Sequence, residues 1–300
     1  MYFGIDIGGT CVKYGIVDYE LRIVEKSKKP TEKTSEKALL DQLCNIAEEM
    51  SLKYDFDYIG ICAPGYVNDN DGIICGSSNT PFKNTNVKEY VERKTGKRVL
   101  LSNDANCAAY GEYLYGDKSI ENSIMLTLGT GVGGGIILDK KLFVGSECRA
   151  GELGHMVIVS GGEKCGCGKR GCLEQYASAT ALIRMTKEQI KDGDGLMSKE
   201  LKDKYDAVDG KTVFHYLARG CTDAEKVLSR YAGYLVCGIE NYIDIFNPDE
   251  VVLAGGITND SEVLLSYINK TFSGRCNIRI AQLKGDAGFY GAALLGYENK

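Results

Sequence analysis

Residues 2–17 read Y-F-G-I-D-I-G-G-T-C-V-K-Y-G-I-V: two short apolar runs, Tyr2–Ile7 and Val12–Val17, joined across Gly8-Gly9. Paired glycines between runs of strand-forming residues signal a hairpin, because glycine takes the backbone angles that tight turns demand. Leu21–Lys26 can add a third strand. Leu39, Leu40, Leu43, Ile46, Ala47 and Met50 then recur at helical spacing from a polar start near Thr34. Tyr58–Cys62 reads as a buried strand stopped at Pro64-Gly65, and a short helix runs from about Val87 to Gly96. Arg98–Leu101 is a further strand leading into Asn103-Asp104, and Ala105–Tyr115 is helical, closing at Gly116.

The second half restarts the same way. Ile124–Leu128, Gly133–Leu138 and Lys141–Val144 read as three strands, with a glycine-rich turn between the first two. Helical patterns follow at Ala179–Ile190 and Asp223–Phe246, then a strand Glu250–Ala254 that runs into Gly255-Gly256. The last helix, Ala287–Tyr297, is rich in small residues and suits close packing on another element, while charged Asp192–Gly210 is expected as a mobile surface segment. A β-β-β-α-β-α order appearing twice predicts an α/β chain with a duplicated architecture. Residues 1–116 with 286–300 would form a smaller N-terminal domain and 117–285 a larger one, flanking a cleft.

At 300 residues the chain can bury a large core. A net charge of −5 and an isoelectric point near 5.3 argue against nucleic acid or an anionic membrane as the main partner. The opening M-Y-F-G-I-D has no basic start, and Ser123–Leu138 is too short to span a bilayer, so neither a signal nor a membrane helix is expected. Twelve cysteines in such a chain suggest thiols in a reducing cytoplasm. Three fall into metal spacing; the other nine, among them Cys11, Cys62, Cys107 and Cys237, read mostly as small buried hydrophobes.

Those three belong to H-x9-C-x-C-x4-C, formed by His155, Cys165, Cys167 and Cys172. Three thiolates and one imidazole suit tetrahedral Zn²⁺ in a closed, structural site; redox use of the cysteines is the competing reading. Gly166, Gly168 and Gly171 would let the chain fold back on one ion. Glu152 and Glu174 flank the ligands, so the ion would pin two carboxylates and an imidazole, an arrangement suited to a polyhydroxyl ligand.

D-I-G-G-T at Asp6–Thr10 and L-G-T-G-V-G-G-G at Leu128–Gly135 place glycine turns between strands. They could bring backbone N–H groups to phosphates, with Asp6 facing Mg²⁺; a hairpin without ligand is the plainer alternative. The second is neither a Walker loop nor a strand-to-helix dinucleotide fingerprint. L-A-G-G-I at Leu253–Ile257 leaves room for a flat base against backbone. In S-N-D-A-N at Ser102–Asn106, Asp104 falls where open α/β sheets place ligands, and could take a hydroxyl proton during attack on a γ-phosphate. It could also merely cap the helix.

These motifs, with A-P-G at Ala63–Gly65, G-E-L-G-H, C-G-C-G-K-R-G-C-L-E and N-P-D-E-V-V-L-A-G-G-I, make the chain resemble sugar kinases of the ROK family (repressors, open reading frames and kinases). That family lies in the hexokinase–actin-like ATPase superfamily, so the resemblance implies two ribonuclease-H-like domains. It also implies ATP, catalytic Mg²⁺, structural Zn²⁺, a hexose or N-acetylhexosamine substrate and a homodimer. By the same resemblance Asp104 is the general base, and Asn103, Glu152, His155 and Glu174, with Gly65 and Asn79, hold the sugar. Asp6, Gly8, Gly9, Thr10, Thr130 and Gly131 would handle Mg²⁺ and phosphates, with Gly255 and Gly256 near adenosine. Glucose phosphorylated at O6 is the favoured substrate; N-acetylmannosamine, allose and fructose fit similar frameworks. The repressor branch carries a helix-turn-helix ahead of this body, for which the hairpin starting at Asp6 leaves no room; a sugar-binding regulator without catalysis is the remaining alternative.

Overall fold

The computed structural model describes residues 1–77, 79–272 and 274–297. They divide into two compact units, Met1–Ile120 with Gly135–Gly151 and Gln282–Lys300, and Glu121–Gly134 with Glu152–Ala281. The sequence pattern put Gly135–Gly151 in the larger domain. Gly135 instead lies against the helix Asp104–Tyr115, where a Cβ would come within 2.4 Å of the Ala109 Cβ.

In the first unit the strands are β1 (Tyr2–Ile7), β2 (Cys11–Val17), β3 (Ile23–Pro30), β4 (Tyr58–Ala63), β5 (Tyr66–Asn68), β6 (Ile73–Gly76), β7 (Thr85–Asn86) and β8 (Arg98–Asn103). The main sheet has the order β3-β2-β1-β4-β8, antiparallel across β1, β2 and β3 and parallel from β1 through β4 to β8. β5, β6 and β7 form a small separate sheet. β3 starts later than its apolar pattern suggests because Asp18 holds the preceding turn. Its Oδ1 accepts from the backbone N of Glu20 at 3.0 Å and of Arg22 at 2.8 Å, with Leu21 at φ 63°. Ser35 caps the helix Glu36–Ser51 by accepting from Ala38 N, and the helix buries the apolar positions that its spacing singles out.

The second sheet comprises β9 (Ser123–Leu128), β10 (Val132–Leu138), β11 (Lys141–Leu142), β12 (Glu250–Ala254) and β13 (Asn277–Ile280), in the order β11-β10-β9-β12-β13. This is the order of the first sheet repeated, with β12 parallel to β9 and β13 parallel to β12. The duplicated ribonuclease-H-like architecture of actin-like ATPases is therefore present. β13 gives no strand signal in sequence, because N-I-R-I is a short edge strand with no buried residue to set a period. The Asp192–Gly210 segment holds a helix, Leu196–Leu201, whose Met197 is buried and whose Ser198 hydroxyl donates to Asp223 Oδ2 at 2.8 Å, so it is docked on its unit.

The last helix spans Ala287–Ala293, shorter than its pattern, and every one of its residues is buried. Its small residues allow backbone-to-backbone contact: a Cβ on Gly60 of β4 would lie 1.8 Å from Ala292 O, and one on Gly291 would lie 1.7 Å from Cys107 O. Neither backbone atom can move without shifting a strand or helix. Gly291→Ala is therefore expected to destabilise the protein by about 1–3 kcal/mol or more, read as a lowered urea midpoint with unchanged slope.

All twelve cysteines carry free thiols. Cys44, Cys62, Cys107, Cys148 and Cys221 are buried as expected, but Cys237 is exposed on the long helix Thr222–Phe246. Among the described residues no helix is long and apolar enough to cross a membrane.

Candidate functional site

In the first unit, the parallel strands β1, β4 and β8 end side by side, with Asp6 paired to Cys62 and Cys62 to Ser102 in register. Carboxyl ends of adjacent parallel strands are where α/β sheets place ligands. Asp6 leaves β1 there. Its Oδ1 accepts from the Cys62 thiol at 3.5 Å, and a Cβ on Gly288 would lie 2.6 Å from its Oδ2. Burial holds the Asp6 carboxyl above its ordinary range, opposed by the positive charge of Lys13 and the Cys62 hydrogen bond.

β8 hands over directly to the helix Asp104–Tyr115, and the cap is Asn103. Its Oδ1 accepts from Ala105 N at 2.9 Å and Asn106 N at 3.2 Å, while its Nδ2 donates to Gly65 O at 2.9 Å. Capping thus falls to the neighbour, leaving Asp104 at the first helical position with Oδ1 accepting from Ala105 N at 2.8 Å. Burial, then the negative charge of Asp6, pushes the Asp104 carboxyl up to about 6, against the pull of the backbone donors. Gly65 sits at φ 89°, with Gly76 O 2.1 Å from where a Cβ would stand, so no other residue fits.

The first glycine turn is closed by Gly8 N donating to Cys11 O at 3.1 Å, and the Thr31 hydroxyl donates to Gly8 O at 2.6 Å. Thr10 is exposed. Gly9 faces Asn79, whose Cβ lies 3.1 Å from the position of a Gly9 Cβ, so the Asn79 loop packs on the hairpin. One neighbour of the cap has no motif to announce it. Asp69 accepts from the Ser102 hydroxyl at 2.8 Å, one residue before the cap, and burial pushes its carboxyl up to about 6.

In the second unit the metal-type residues converge. The donor atoms of His155, Cys165, Cys167 and Cys172 all lie within 4.8 Å of one another. His155 Nδ1 faces Cys165 Sγ at 3.6 Å, and Cys167 Sγ lies 3.6 Å from Cys172 Sγ. Gly168 and Gly171 take positive φ, whereas Gly166 does not. The Cys165–Lys169 turn is closed by Cys165 N donating to Lys169 O at 2.9 Å. A donor set of three sulfurs and one imidazole nitrogen so disposed fits zinc. The other ring nitrogen, Nε2, points the opposite way and lies 3.9 Å from Glu152 Oε2.

G-E-L-G-H is seated on β10. A Cβ on Gly154 would lie 2.0 Å from Val132 O, and one on Gly134 would lie 2.7 Å from Leu153 Cδ1. The buried Tyr242 hydroxyl donates to Leu153 O at 2.6 Å. Glu174 reaches the second glycine turn, its Oε2 accepting from Val132 N at 3.0 Å. That turn, Gly129–Gly131, is held further by Ala179 N donating to Gly129 O and the Thr180 hydroxyl donating to Thr130 O, both at 2.7 Å. Gly255, at φ 103°, lies beside the same turn, where a Cβ would meet Leu128 O at 2.3 Å; Gly256 next to it is open, with no atom within 4 Å of a Cβ.

The ROK family model matches residues 2–298. A glucokinase of Streptomyces coelicolor is 35% identical over 319 aligned residues, which cover 98% of this chain and 97% of that protein. The solved structure of a ROK family glucokinase from Streptomyces griseus in complex with glucose and AMPPNP superposes with a TM-score of 0.81 at 32% identity, covering 98% of both chains. The xylose repressor of Bacillus subtilis is 32% identical, with 91% of this chain and 68% of the repressor covered.

Proposed function

Because the chain belongs to the ROK family, we propose that it transfers the γ-phosphate of ATP to a sugar hydroxyl, O6 of glucose being the favoured acceptor. The observation that carries this reading is the state of Asp104. Its carboxylate stands at the carboxyl ends of β1, β4 and β8, beside Asp6, and is relieved of capping by Asn103. A carboxyl near 6 is ionised at neutral pH and still basic enough to take a proton.

In this reading Asp104 accepts the proton of the attacking hydroxyl. Asn103, Gly65 and Asn79 hold the sugar, together with Glu152, His155 and Glu174. The Nε2–H of His155 is the donor offered to a sugar oxygen, since Nδ1 faces the thiols. The glycine turns carrying Gly8, Gly9 and Thr10, and Thr130 and Gly131, lie along the phosphates, with Gly255 and Gly256 at the adenosine.

Asp6 would hold the Mg²⁺ that accompanies ATP. Its buried carboxylate stands beside that of Asp104, a pair of like charges that a cation would neutralise. Bound Mg²⁺ supplies charge neutralisation at the phosphates. His155, Cys165, Cys167 and Cys172 would hold Zn²⁺, which keeps the loop rigid. Phosphoryl transfer passes through a loose transition state, so positioning of acceptor and donor does most of the work.

The likeness to the glucokinases of Streptomyces coelicolor and Streptomyces griseus supports glucose. The test is ADP release with Mg²⁺-ATP across glucose, mannose, fructose, allose, N-acetylglucosamine and N-acetylmannosamine. Glucose is expected to give the highest kcat/KM. Another preferred sugar would revise the substrate, and silence across the panel alongside measurable sugar binding would select a non-catalytic regulator related to the xylose repressor.

A further inference from the structure

We infer that Glu174 is the positioning residue of the Gly129–Gly131 turn, holding in place the segment assigned above to the phosphates, beyond any contact it makes with sugar. The inference rests on the kinase reading.

Glu174 opens the short helix Glu174–Ala177, two residues after the last cysteine of the metal cluster. Its two carboxylate oxygens face different partners. Oε2 accepts from Val132 N, the first residue of β10, at 3.0 Å. Oε1 lies 3.7 Å from Cys165 Sγ and 3.5 Å from Gln175 Nε2. One side chain thus reaches from the end of the cysteine loop to the glycine turn, where a carboxylate accepting from a backbone N–H makes a bond of the stronger kind.

Gly131 supplies the independent observation. An alanine Cβ at this position would lie 2.3 Å from Glu174 Oε2, 3.1 Å from its carboxyl carbon and 3.8 Å from its Cγ, and these are the three nearest atoms. Gly131 does not take a positive φ, so its backbone does not itself demand glycine. The missing side chain at 131 makes room for the Glu174 carboxylate. In sequence this glycine reads as a place for a phosphate to approach the backbone; in the structure its Cβ position is blocked by an amino-acid side chain. With the carbonyls of Gly129 and Thr130 bonded to Ala179 N and the Thr180 hydroxyl, Glu174 holds the side of the turn that leads into β10.

A double-mutant cycle tests this. Gly131→Ala, Glu174→Ala and the double variant are compared for the Kd of Mg²⁺-AMPPNP in the absence of sugar, with zinc content and thermal unfolding as folding controls. Each single variant is expected to weaken nucleotide binding about tenfold, and the double variant no more than Glu174→Ala alone, because residues in contact couple. If Glu174→Ala does not fold, Glu174→Asp, one methylene too short to reach Val132 N, replaces it in the cycle. Equal losses from Gly131→Ala in both backgrounds would overturn the inference, since the glycine would then serve the phosphate and not Glu174. So would an unchanged nucleotide Kd in Glu174→Ala accompanied by a raised sugar KM. A wild-type chain that binds no nucleotide would instead overturn the kinase reading, and that result is seen before any variant is made.

Discussion

Asp104→Asn is expected to lower kcat by about 10²–10⁴-fold, the usual worth of a positioned general base, while sugar affinity stays close to that of the unsubstituted chain. The substitution keeps the shape of the side chain and an oxygen to accept from Ala105 N, now at 2.8 Å. The cap at Asn103 and its bond to Gly65 O are untouched, so β8 should still enter the helix as before. What is lost is basicity. The wild-type carboxyl stands at about 6, above the ordinary 3.8, through burial and then the charge of Asp6. The kcat/KM profile should therefore rise with pH through about 6 and then level off, as the free base forms.

The stability consequence has the opposite sense to that of a salt-bridged aspartate. A folded-state carboxyl raised above its unfolded value binds its proton more tightly in the native state. Stability from this group is present below the ordinary carboxylate range and is lost as pH rises through about 6. Asp104→Asn should accordingly be at least as stable as wild type at pH 7, by urea unfolding. Asp69 also titrates near 6, so Asp69→Asn is the control, expected to leave the activity limb in place. Near-normal turnover in Asp104→Asn would sink the base assignment.

Cys167→Ser is expected to lose zinc and, with it, sugar affinity by about tenfold or more, some 1.4 kcal/mol per decade. Cys167 is exposed, so replacing its sulfur removes a metal ligand without opening a core cavity. The remaining donors, His155, Cys165 and Cys172, lie on one glycine-rich stretch of chain.

 The glycines between His155 and Cys172 are Gly161, Gly162, Gly166, Gly168 and Gly171, and backbone bonds such as Ile158 N to Gly171 O at 2.9 Å and Gly171 N to Glu163 O at 2.8 Å fold the loop, so that the ion would add the link among the four donor side chains. Without the ion, the His155 ring would lose the bond at Nδ1 that holds Nε2 toward Glu152, leaving only the 3.6 Å approach to Cys165 Sγ and the 3.9 Å approach to Glu152. The variant is checked by zinc assay and sugar titration together, and kcat at saturating sugar should fall less than affinity. Undiminished sugar affinity in zinc-free protein would refute the supporting role of the cysteine loop.

The parts of this chain that were legible in sequence are those governed by near neighbours. The Tyr2–Val17 hairpin, the buried face of Glu36–Ser51 and the close of Val87–Thr95 at Gly96 follow from local periodicity and turn chemistry. The four metal-type residues were legible for the same reason, since all of them lie within one short loop. The cap at Asn103 was readable in principle from S-N-D-A-N, because asparagine ranks with aspartate at that position.

By itself, then, the sequence determined the duplicated α/β pattern, the metal-type cluster and the carboxylate at the end of β8, because each is written in residues a few positions apart. The tertiary structure alone decided what those groups touch. Glu174 meets Val132 across 42 positions, Asp69 meets Ser102 across 33, and Gly60 and Gly291 owe their lack of a side chain to backbone brought in from distant segments. Cys237 shows the same limit, since an apolar surrounding in the chain did not place it inside. Periodicity records which face of an element is apolar, but the identity of a partner is fixed only when remote segments are packed at van der Waals distance.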